Sequence, residues 1–260
     1  MEKENSSWRE LQTVGTAIDV IEALAETEGA GVTQLAARLD VSSSSIHSQL
    51  ATLEQAGYLV RDGQQYQLSH RFLLLGEYVR NSNPLFQFGR RRADDLAEET
   101  EHYAHLFVEE DGLGVNIYEA RGELASDYDY QSLKLQQREP LHITATGKAI
   151  LAEFSEKKVR AIVEQHGLER RTENTITDIE DLFAELENVS QQGFATNDEE
   201  EIGGFRAVAA PVCVDGGAVL GSVSVSAPVA YFDDKEFNNS IPTKVIRAAN
   251  TIEVDYNMSL

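Results

Sequence analysis

Residues 42–49 read SSSSIHSQ and concentrate short side chains that donate and accept hydrogen bonds. Hydroxyl, imidazole and amide groups of this size can contact base edges and phosphates when their helix lies in the major groove of DNA. The predicted DNA-contacting residues are Thr33, Ser42, Ser43, Ser44, Ser45, His47, Ser48 and Gln49. The alternative interpretation is a small helical unit that packs on protein.

The periodicity around these residues predicts the helix that would present them. Ile46, Leu50 and Leu53 recur at i, i+4 and i+7, which predicts one buried stripe. Ser44 and Ser48 fall on the opposite side of the helical wheel. This arrangement leaves a polar face that a major groove can admit.

The flanking residues indicate a winged helix-turn-helix. Thr33 and Ser42 are predicted N-caps of two successive helices, and Gly57 is predicted to end the second helix. Residues 58–68 then predict a hairpin around an Asp62-Gly63 turn. Helix, turn, helix and hairpin is the order of that DNA-reading module.

A second set of polar side chains follows the strand pattern of residues 218–228, AVLGSVSVSAP. Alternation sends Leu220, Ser222, Ser224 and Ser226 to one face of the predicted strand. A row of hydroxyls can line a polar cavity, and it can equally be the solvent-facing side of a half-buried strand. The sequence alone leaves both interpretations open.

Residues 143–151, ITATGKAIL, predict a turn that enters a helix. Thr144 or Thr146 can cap the helix, and Gly147 is predicted to let a ligand approach the backbone closely. N–H groups at a helix start attract carboxylate or hydroxyl oxygens. Ordinary capping without a ligand is the alternative.

The sequence predicts no enzyme, no metal site and no cofactor. His102 and His105 are three residues apart at the start of a predicted strand, where this spacing does not establish a metal site. HExxH, GxSxG, P-loop and CxxC patterns are absent from the sequence. Cys213 lies in the strand-like run AVAAPVCV and is predicted to be an inert core thiol.

The net charge of −22 is unusual for a protein that meets DNA. Residues 1–80 hold 6 Lys and Arg against 11 Asp and Glu, and residues 81–260 hold 16 against 33. Such a surface repels itself in dilute buffer, whereas molar salt shortens the Debye length to about 3 Å. The composition therefore predicts a halophilic protein that works in concentrated salt.

The order of predicted elements gives an α+β chain in three parts. A winged helix-turn-helix is predicted over 1–70, a helical linker over 71–100 and an effector-binding domain over 101–260. The first helix, over 8–28, is predicted to bury Val14, Ile18, Ile21 and Ala25, with Ser7 and Glu10 as a capping box. Arg90-Arg91-Arg92 is predicted to be a solvated face paired with neighbouring acids rather than a DNA contact.

No run of about 18 or more apolar residues occurs, so no membrane span is expected. The N-terminus MEKENSSWRE lacks the basic start and apolar core of a secretory signal, and one cysteine suits a reducing compartment. Both features predict a cytoplasmic protein.

Three further motifs resemble the isocitrate lyase regulator (IclR) family of transcription factors. They are PLHITATGKAILA at 140–152, GLERRTENTITD at 167–178 and QQGFATNDEEEIGGFRAVAAPV at 191–212, in the family's order and spacing. The resemblance covers nearly the whole chain. It implies a winged N-terminal domain, a linker helix, a GAF-like effector-binding domain, and homodimers or homotetramers on palindromic operators.

The resemblance also implies site residues. Effector-binding positions of the family fall on Thr146, Gly147, Asp198, Ala207, Ser224 and Ser226. The sequence departs from the family at Ser43 and Ser48, where Lys and Arg are common, and at Ala207, where Cys is common. Loss of these cations removes guanine-reading and phosphate-binding groups.

These observations predict a sequence-specific DNA-binding transcriptional regulator controlled by a small-molecule effector. The preferred effector is a sugar or sugar acid of carbohydrate catabolism, because a pocket carboxylate would accept hydrogen bonds from hydroxyls. An aromatic acid is the second candidate. A ligand sensor that acts through protein contacts, with a degenerate DNA domain, is the rival class.

Overall fold

The computed structural model describes residues 11–27, 29–127 and 138–260. The predicted capping box of Ser7 and Glu10 lies outside these residues. The chain divides into two compact units, the first ending at Val79 and the second spanning Arg80–Leu260. This division confirms an α+β architecture with an N-terminal helix-turn-helix part and a C-terminal part built on a sheet.

The first unit is a winged helix-turn-helix. Its elements are α1 (Gln12–Ala25), α2 (Val32–Leu39), α3 (Ser43–Gln55), the antiparallel hairpin of β1 (Leu59–Asp62) and β2 (Gln65–Leu68), and most of α4 (Arg71–Ser82). Ile46 and Leu50 of α3 are fully buried in a core with Val20, Leu24, Leu35 and Leu59. The predicted α3 stripe is therefore the one that packs.

Of the two N-caps predicted in the first unit, one is confirmed and one is wrong. Ser42 is the N-cap of α3 and accepts from Ser45 N at 3.3 Å, as predicted. The N-cap of α2 is Gly31, whose N–H donates to Gln34 Oε1 at 2.9 Å, so the capping prediction for Thr33 is wrong. The amide oxygen of Gln34, three positions after the N-cap, already accepts from the backbone at this helix end.

The hairpin turn lies one residue further along than predicted. Asp62 pairs with Gln65, so the two turn residues are Gly63 and Gln64. Gly63 has φ +60°, which suits the first central position of a type II′ turn. The glycine therefore takes the first position of the turn, whereas an Asp62-Gly63 turn would place it second.

The predicted buried face of α1 is wrong. Val14 and Ile18 are about half exposed, and the helix instead buries Thr16, Val20, Ala23 and Leu24. Both faces of α1 carry apolar residues, so periodicity alone does not decide which face packs. One apolar stripe consequently remains on the surface of the first unit.

The second unit is a curled six-stranded antiparallel sheet with helices on both faces. The strand order is β5-β4-β3-β8-β7-β6. The strands are β3 (Tyr103–Glu110), β4 (Leu113–Arg121), β5 (Glu139–Pro140), β6 (Ala195–Asp198), β7 (Phe205–Val214) and β8 (Ala218–Pro228). The helices are α5 (Pro84–Thr100), α6 (Ala145–Leu151), α7 (Glu156–His166), α8 (Ile179–Gln192) and α9 (Ile241–Asn257).

One face of this sheet packs against α5 and α9. Val223 and Val225 of β8 are fully buried there, in a cluster that includes Leu85 and Leu96 of α5 and Ile252 of α9. The other face of β8, with its serines, lies on the side of α6. Alternation along one central strand thus separates an apolar core from a polar layer.

The second half of the predicted linker belongs to the second unit. Asn83 caps α5, accepting from Leu85 N at 2.9 Å, and Pro84 occupies the first turn. Because α5 buries its apolar face in the sheet's core, residues 84–100 are not a free-standing connector. Arg92 pairs with Asp255 at 3.0 Å and with Asp95 at 3.5 Å, in keeping with the predicted solvated, paired role of the arginine run.

No helix within the described residues is long and apolar enough to span a bilayer.

Candidate functional site

The polar face of α3 is largely exposed. Ser43, Ser44, His47 and Ser48 lie on the surface, with Ser42 at the start of the helix, whereas Ser45 is half-buried. The structure therefore brings together the small polar groups that the sequence predicted as one face.

Gln49 does not share this face. Its residue surface is 8% exposed, so the predicted DNA contact by Gln49 is contradicted in the first unit. Gln49 follows Ile46 by three positions, which places it on the flank of the buried stripe rather than opposite it. A helical wheel of α3 therefore predicts that Gln49 does not belong to the exposed polar face.

Hydroxyls on α3 are partly engaged by their own helix. Ser48 Oγ donates to Ser44 O at 3.0 Å, and Thr52 Oγ1 donates to Ser48 O at 2.8 Å. A hydroxyl that donates in this way still has lone pairs for an incoming donor. In this state the Ser48 hydroxyl offers an acceptor to a groove.

An open cleft borders the polar face of α3. It is lined by the start of α2, by His47 of α3 and by the hairpin, namely Gly31, Val32, Thr33, Gln34, His47, Arg61, Gln64, Gln65 and Tyr66. Thr33 is exposed and lies on this cleft rather than on the face of α3. Arg61 is the one arginine or lysine among these described lining residues. The sequence analysis did not predict it as a DNA contact, although its position just before the hairpin turn indicates a place on the predicted wing.

The second unit contains a small, partly enclosed cavity that polar and apolar side chains line together. Its lining comes from strands β3 to β8 and the start of α6, together with Glu201. The described lining residues are His105, Phe107, Asn116, Glu139, Thr144, Ala145, Thr146, Asn197, Glu201, Ala207, Ser224 and Ser226.

The serine row of β8 faces this cavity and not solvent. Ser224 and Ser226 are about 2% exposed and line the cavity. Ser222 is also buried, but its hydroxyl donates to Thr146 O at 3.1 Å and ties β8 to α6. Ala207 lies beside them on β7, where it pairs with Ser226.

The start of α6 forms another wall of the cavity. Thr144 is the N-cap, accepting from Gly147 N at 2.9 Å, and Thr146 Oγ1 donates to Thr144 Oγ1 at 3.2 Å. Thr146 lines the cavity as predicted, with an acceptor lone pair remaining.

Gly147 has a different role from the predicted one. It does not line the cavity, and a Cβ placed on it would lie 2.1 Å from Leu141 O. The glycine therefore allows α6 to pack against the backbone of the preceding turn, and no ligand approach is needed to explain it.

Asp198 also departs from the prediction. Its side chain is half exposed and accepts from Arg206 Nε at 2.6 Å, outside the cavity. The neighbouring Asn197 is buried and lines the cavity, with Glu201. Strand alternation at β6 is thus offset by one residue from the phase that the resemblance implied.

A buried polar row that the sequence reasoning did not identify forms the floor of the cavity. His105 Nδ1 lies 3.1 Å from the Asn116 side chain, oriented so that its oxygen accepts while its nitrogen donates to Leu106 O and Tyr118 O. In the neutral ring the proton is then on Nδ1, so Nε2 accepts from the Ser226 hydroxyl at 2.9 Å. The Ser226 oxygen consequently presents lone pairs to the cavity.

The pairing of β3 with β8 explains why His105 lies in the cavity wall. Tyr103, His105 and Phe107 pair with Ser226, Ser224 and Ser222 across β3 and β8. A histidine on the same face as a serine row would have been found from the sequence once the two strands were known to be adjacent. That adjacency joins residues about 120 positions apart.

A buried ion pair braces the loop behind the cavity. Lys148 of α6 is 1% exposed, and its Nζ donates to both carboxylate oxygens of Glu200 at 2.6 and 2.8 Å and to Glu185 at 3.2 Å. Burial raises the pKa of the Glu200 carboxyl above its ordinary value, although Lys148 opposes the shift. This pair holds the loop that carries Asn197 and Glu201.

The cysteine has the environment of a structural thiol. Burial, with Glu153 and Glu253 nearby, raises the pKa of Cys213 to about 12, so the thiolate is not formed near neutral pH. Within the part of the chain that the structure covers, no group of three or more His, Cys, Asp or Glu is placed to hold a metal ion.

Two family models match this chain. The model of the "IclR helix-turn-helix domain" matches residues 13–63, and that of the "Bacterial transcriptional regulator IclR C-terminal" matches residues 78–254. The chain belongs to the IclR family of transcriptional regulators. The second match covers more than half of the chain, and together the two cover both units. IclR-family proteins are DNA-binding regulators with a ligand-binding domain and not enzymes.

Individual proteins agree with this assignment. The chain is 36% identical to the probable HTH-type transcriptional regulator ArcR of Halobacterium salinarum, over 96% of this chain and 95% of that protein. In fold it resembles Thermotoga maritima IclR, with a TM-score of 0.80 at 23% identity, over 95% of this chain and all of that one. It also resembles an IclR homologue from Microbacterium hydrocarbonoxydans complexed with 4-hydroxybenzoate, with a TM-score of 0.78 at 20% identity, over 95% and 99% of the two chains.

Proposed function

We propose that this IclR-family regulator reads a DNA operator with α3 and that an effector in the cavity of the second unit controls this binding. The exposed polar face of α3 carries the proposal, because five of its predicted contact residues lie together on the surface. They are Ser42, Ser43, Ser44, His47 and Ser48, and Thr33 lies on the adjoining cleft. Differential affinity of the effector for two arrangements of a dimer would change the spacing of the two reading helices and thus operator occupancy.

A footprint on the DNA upstream of the protein's own gene, recorded from 0.2 to 2 M KCl, tests the reading face. We expect a protected site, and we expect His47→Ala with Ser48→Ala to weaken or shift it, because each lost base contact costs about 1–3 kcal/mol. Ser190→Ala, at an exposed position in the second unit, is the matched control. An unchanged protection pattern in the double variant would mean that α3 does not read the bases.

The same experiment addresses the rival function. A sensor acting through protein contacts alone would protect no DNA at any salt concentration. The scarcity of positive charge in the first unit motivates that rival. A protected site of defined sequence would dismiss it.

We propose that the effector is rich in hydroxyl groups, as a sugar or sugar acid is. With a neutral His105 ring that carries its proton on Nδ1, the Ser226 hydroxyl donates to His105, while Thr146 donates to Thr144, and both oxygens then present lone pairs to the cavity. Hydroxyl donors of a ligand can satisfy such acceptors. The Ser224 hydroxyl, also on the wall, can donate or accept.

A thermal-shift series tests this effector class. The probes are glucose, gluconate, galacturonate and 4-hydroxybenzoate, applied to the full chain in molar KCl. A ligand present at 100 times its Kd adds about 2.7 kcal/mol to the free energy of unfolding when it binds only the folded state. We expect a hydroxylated probe to raise the Tm, Ser226→Ala to abolish the rise, and the exposed Ser190→Ala to retain it.

An aromatic acid is the second candidate effector. The Microbacterium structure that resembles this chain is a complex with 4-hydroxybenzoate, and Phe107 gives the cavity one aromatic wall. A rise in Tm with 4-hydroxybenzoate and none with the sugars and sugar acids would select this candidate.

We propose that the protein forms homodimers or dimers of dimers through its first unit. Eight of the thirteen large exposed apolar side chains in the described residues belong to α4 or to α1 and the residue before it. They are Leu11, Val14, Ile18, Leu73, Leu74, Leu75, Tyr78 and Val79. Exposed apolar side chains at this density support an interaction surface on the first unit, and a palindromic operator requires two DNA-binding units. Sedimentation velocity in molar KCl tests this, and a monomer at micromolar concentration contradicts it.

We propose that the protein works in a salt-rich cytoplasm, the compartment where operator DNA lies. The charge of −22 supports this, since salt screens the repulsion among surface carboxylates. The Tm should therefore rise as KCl increases toward molar concentration. A Tm that stays constant or falls over that series contradicts the proposal.

A further inference from the structure

Positive charge is scarce in the first unit. Between residues 11 and 79 the sequence holds three arginines and no lysine. Arg38 is ion-paired with Glu26. Arg71 donates to Ala56 O at 2.6 Å, and its guanidinium lies 4.6 Å from the centre of the Tyr58 ring. Neither Arg38 nor Arg71 lines the cleft beside α3.

The third arginine, Arg61, is held at the edge of the reading surface. It is exposed on β1 and lines the cleft that also contains Thr33 and His47. Its Nε donates to Gly63 O at 2.9 Å, and its guanidinium lies 5.4 Å from the centre of the buried Tyr66 ring. These contacts restrict the side chain but use one of its five N–H donors.

We infer that Arg61 binds a backbone phosphate of DNA and carries most of the electrostatic contribution that the described part of the first unit makes to DNA binding. This inference rests on the proposed DNA-reading function. A guanidinium matches phosphate geometry and can bind it with two parallel hydrogen bonds. The serines of α3 carry no charge and contact DNA without releasing counterions, so the salt-dependent part of the affinity is concentrated in the hairpin.

This placement predicts an unusually shallow salt dependence for a DNA-binding protein. Each neutralised phosphate contributes about −0.9 to the slope of log Kobs against log salt. From the described part of the first unit, one such arginine per protomer gives a much smaller slope than the 6–10 phosphate contacts of a typical repressor. Weak dependence on salt preserves DNA binding where KCl is concentrated.

The test measures binding of a 30-base-pair duplex to the full chain by fluorescence anisotropy at a series of KCl concentrations. We expect Arg61→Gln to weaken binding and to reduce the slope by about 0.9 per protomer, whereas Arg61→Lys keeps the charge and most of the slope. Arg38→Gln is the matched control, since it removes the same charge from the same unit away from the cleft. Thermal melts of each variant show whether it is folded.

The outcomes separate this inference from the proposed function. If the wild-type protein binds no duplex at any salt concentration, the DNA-reading function itself fails. If it binds but Arg61→Gln leaves the slope unchanged, the phosphate contact is assigned to the wrong residue. Equal changes in Arg61→Gln and Arg38→Gln would mean that only the overall charge matters, which also overturns the inference.

Discussion

Lys148→Met is expected to lower the free energy of unfolding by about 3–5 kcal/mol, because it leaves the buried Glu200 carboxylate without its cation. Methionine fills a similar volume, so the loss reflects charge more than packing. Lys148 is 1% exposed and donates two hydrogen bonds to Glu200. Chemical denaturation of the full chain in molar KCl measures the change.

The pH dependence of this variant follows from Glu200. Burial already raises the pKa of Glu200 in the folded protein, so the folded state binds this proton more tightly than the unfolded chain does. The stability gained from protonation is complete below the unfolded pKa of about 4.3 and is lost as pH rises through the higher folded pKa. Removing Lys148 raises that folded pKa further, so the loss of stability should be larger at pH 8 than at pH 5.

Two companion variants make this prediction specific. Lys158→Met removes an exposed lysine paired with Glu109 at 2.8 Å and should cost no more than about 1 kcal/mol. Adding Glu200→Gln to Lys148→Met removes the unpaired charge and should restore a large part of the stability. Equal, small losses in Lys148→Met and Lys158→Met would show that the buried pair does not stabilise the fold.

Gly147→Ala is expected to cost about 3 kcal/mol or more, through overpacking against backbone that no rotamer change can relieve. The added Cβ would lie 2.1 Å from Leu141 O and 2.5 Å from Leu141 Cα. Because α6 must move away, Thr144 and Thr146 would be displaced from the cavity wall. We therefore expect loss of effector binding together with a lower Tm.

Gly203→Ala is the matched control for this substitution. Nothing lies within 4 Å of a Cβ placed on Gly203, which is in the same unit and outside the left-handed region. Its effect should stay within about 0.5 kcal/mol. If Gly147→Ala were equally mild, the close packing of α6 on the preceding turn would not be essential. Retained stability with lost effector binding would instead favour the predicted ligand approach at Gly147.

Local patterns in the sequence determined the elements and several of their ends. The Ser42 cap, the Asn83-Pro84 start of α5 and the Asp111-Gly112 turn are all readable within a few residues. Caps and tight turns depend on dihedral preferences and hydrogen bonds between near neighbours, so they do not need the rest of the chain. The family motifs then indicated which type of protein these elements form.

Which face of each helix or strand is buried was decided by the tertiary structure. On α1 two apolar stripes compete, and the packing of α2 and α3 decides that Val20 is buried and Val14 exposed. On β6 a shift of one residue brings Asn197 rather than Asp198 into the cavity. A helix or strand shows its period in the sequence, but which face is buried depends on partners far away in the chain.

The cavity itself was decided by contacts between distant segments. The sequence alone determined that 218–228 is a strand with hydroxyls on one face, and that 143–151 begins a helix. Only the fold set His105 beside Ser226, and Lys148 of α6 against Glu200, 52 residues away. Such pairs carry no local signature, because burial makes them interact strongly and burial is a property of the whole folded unit.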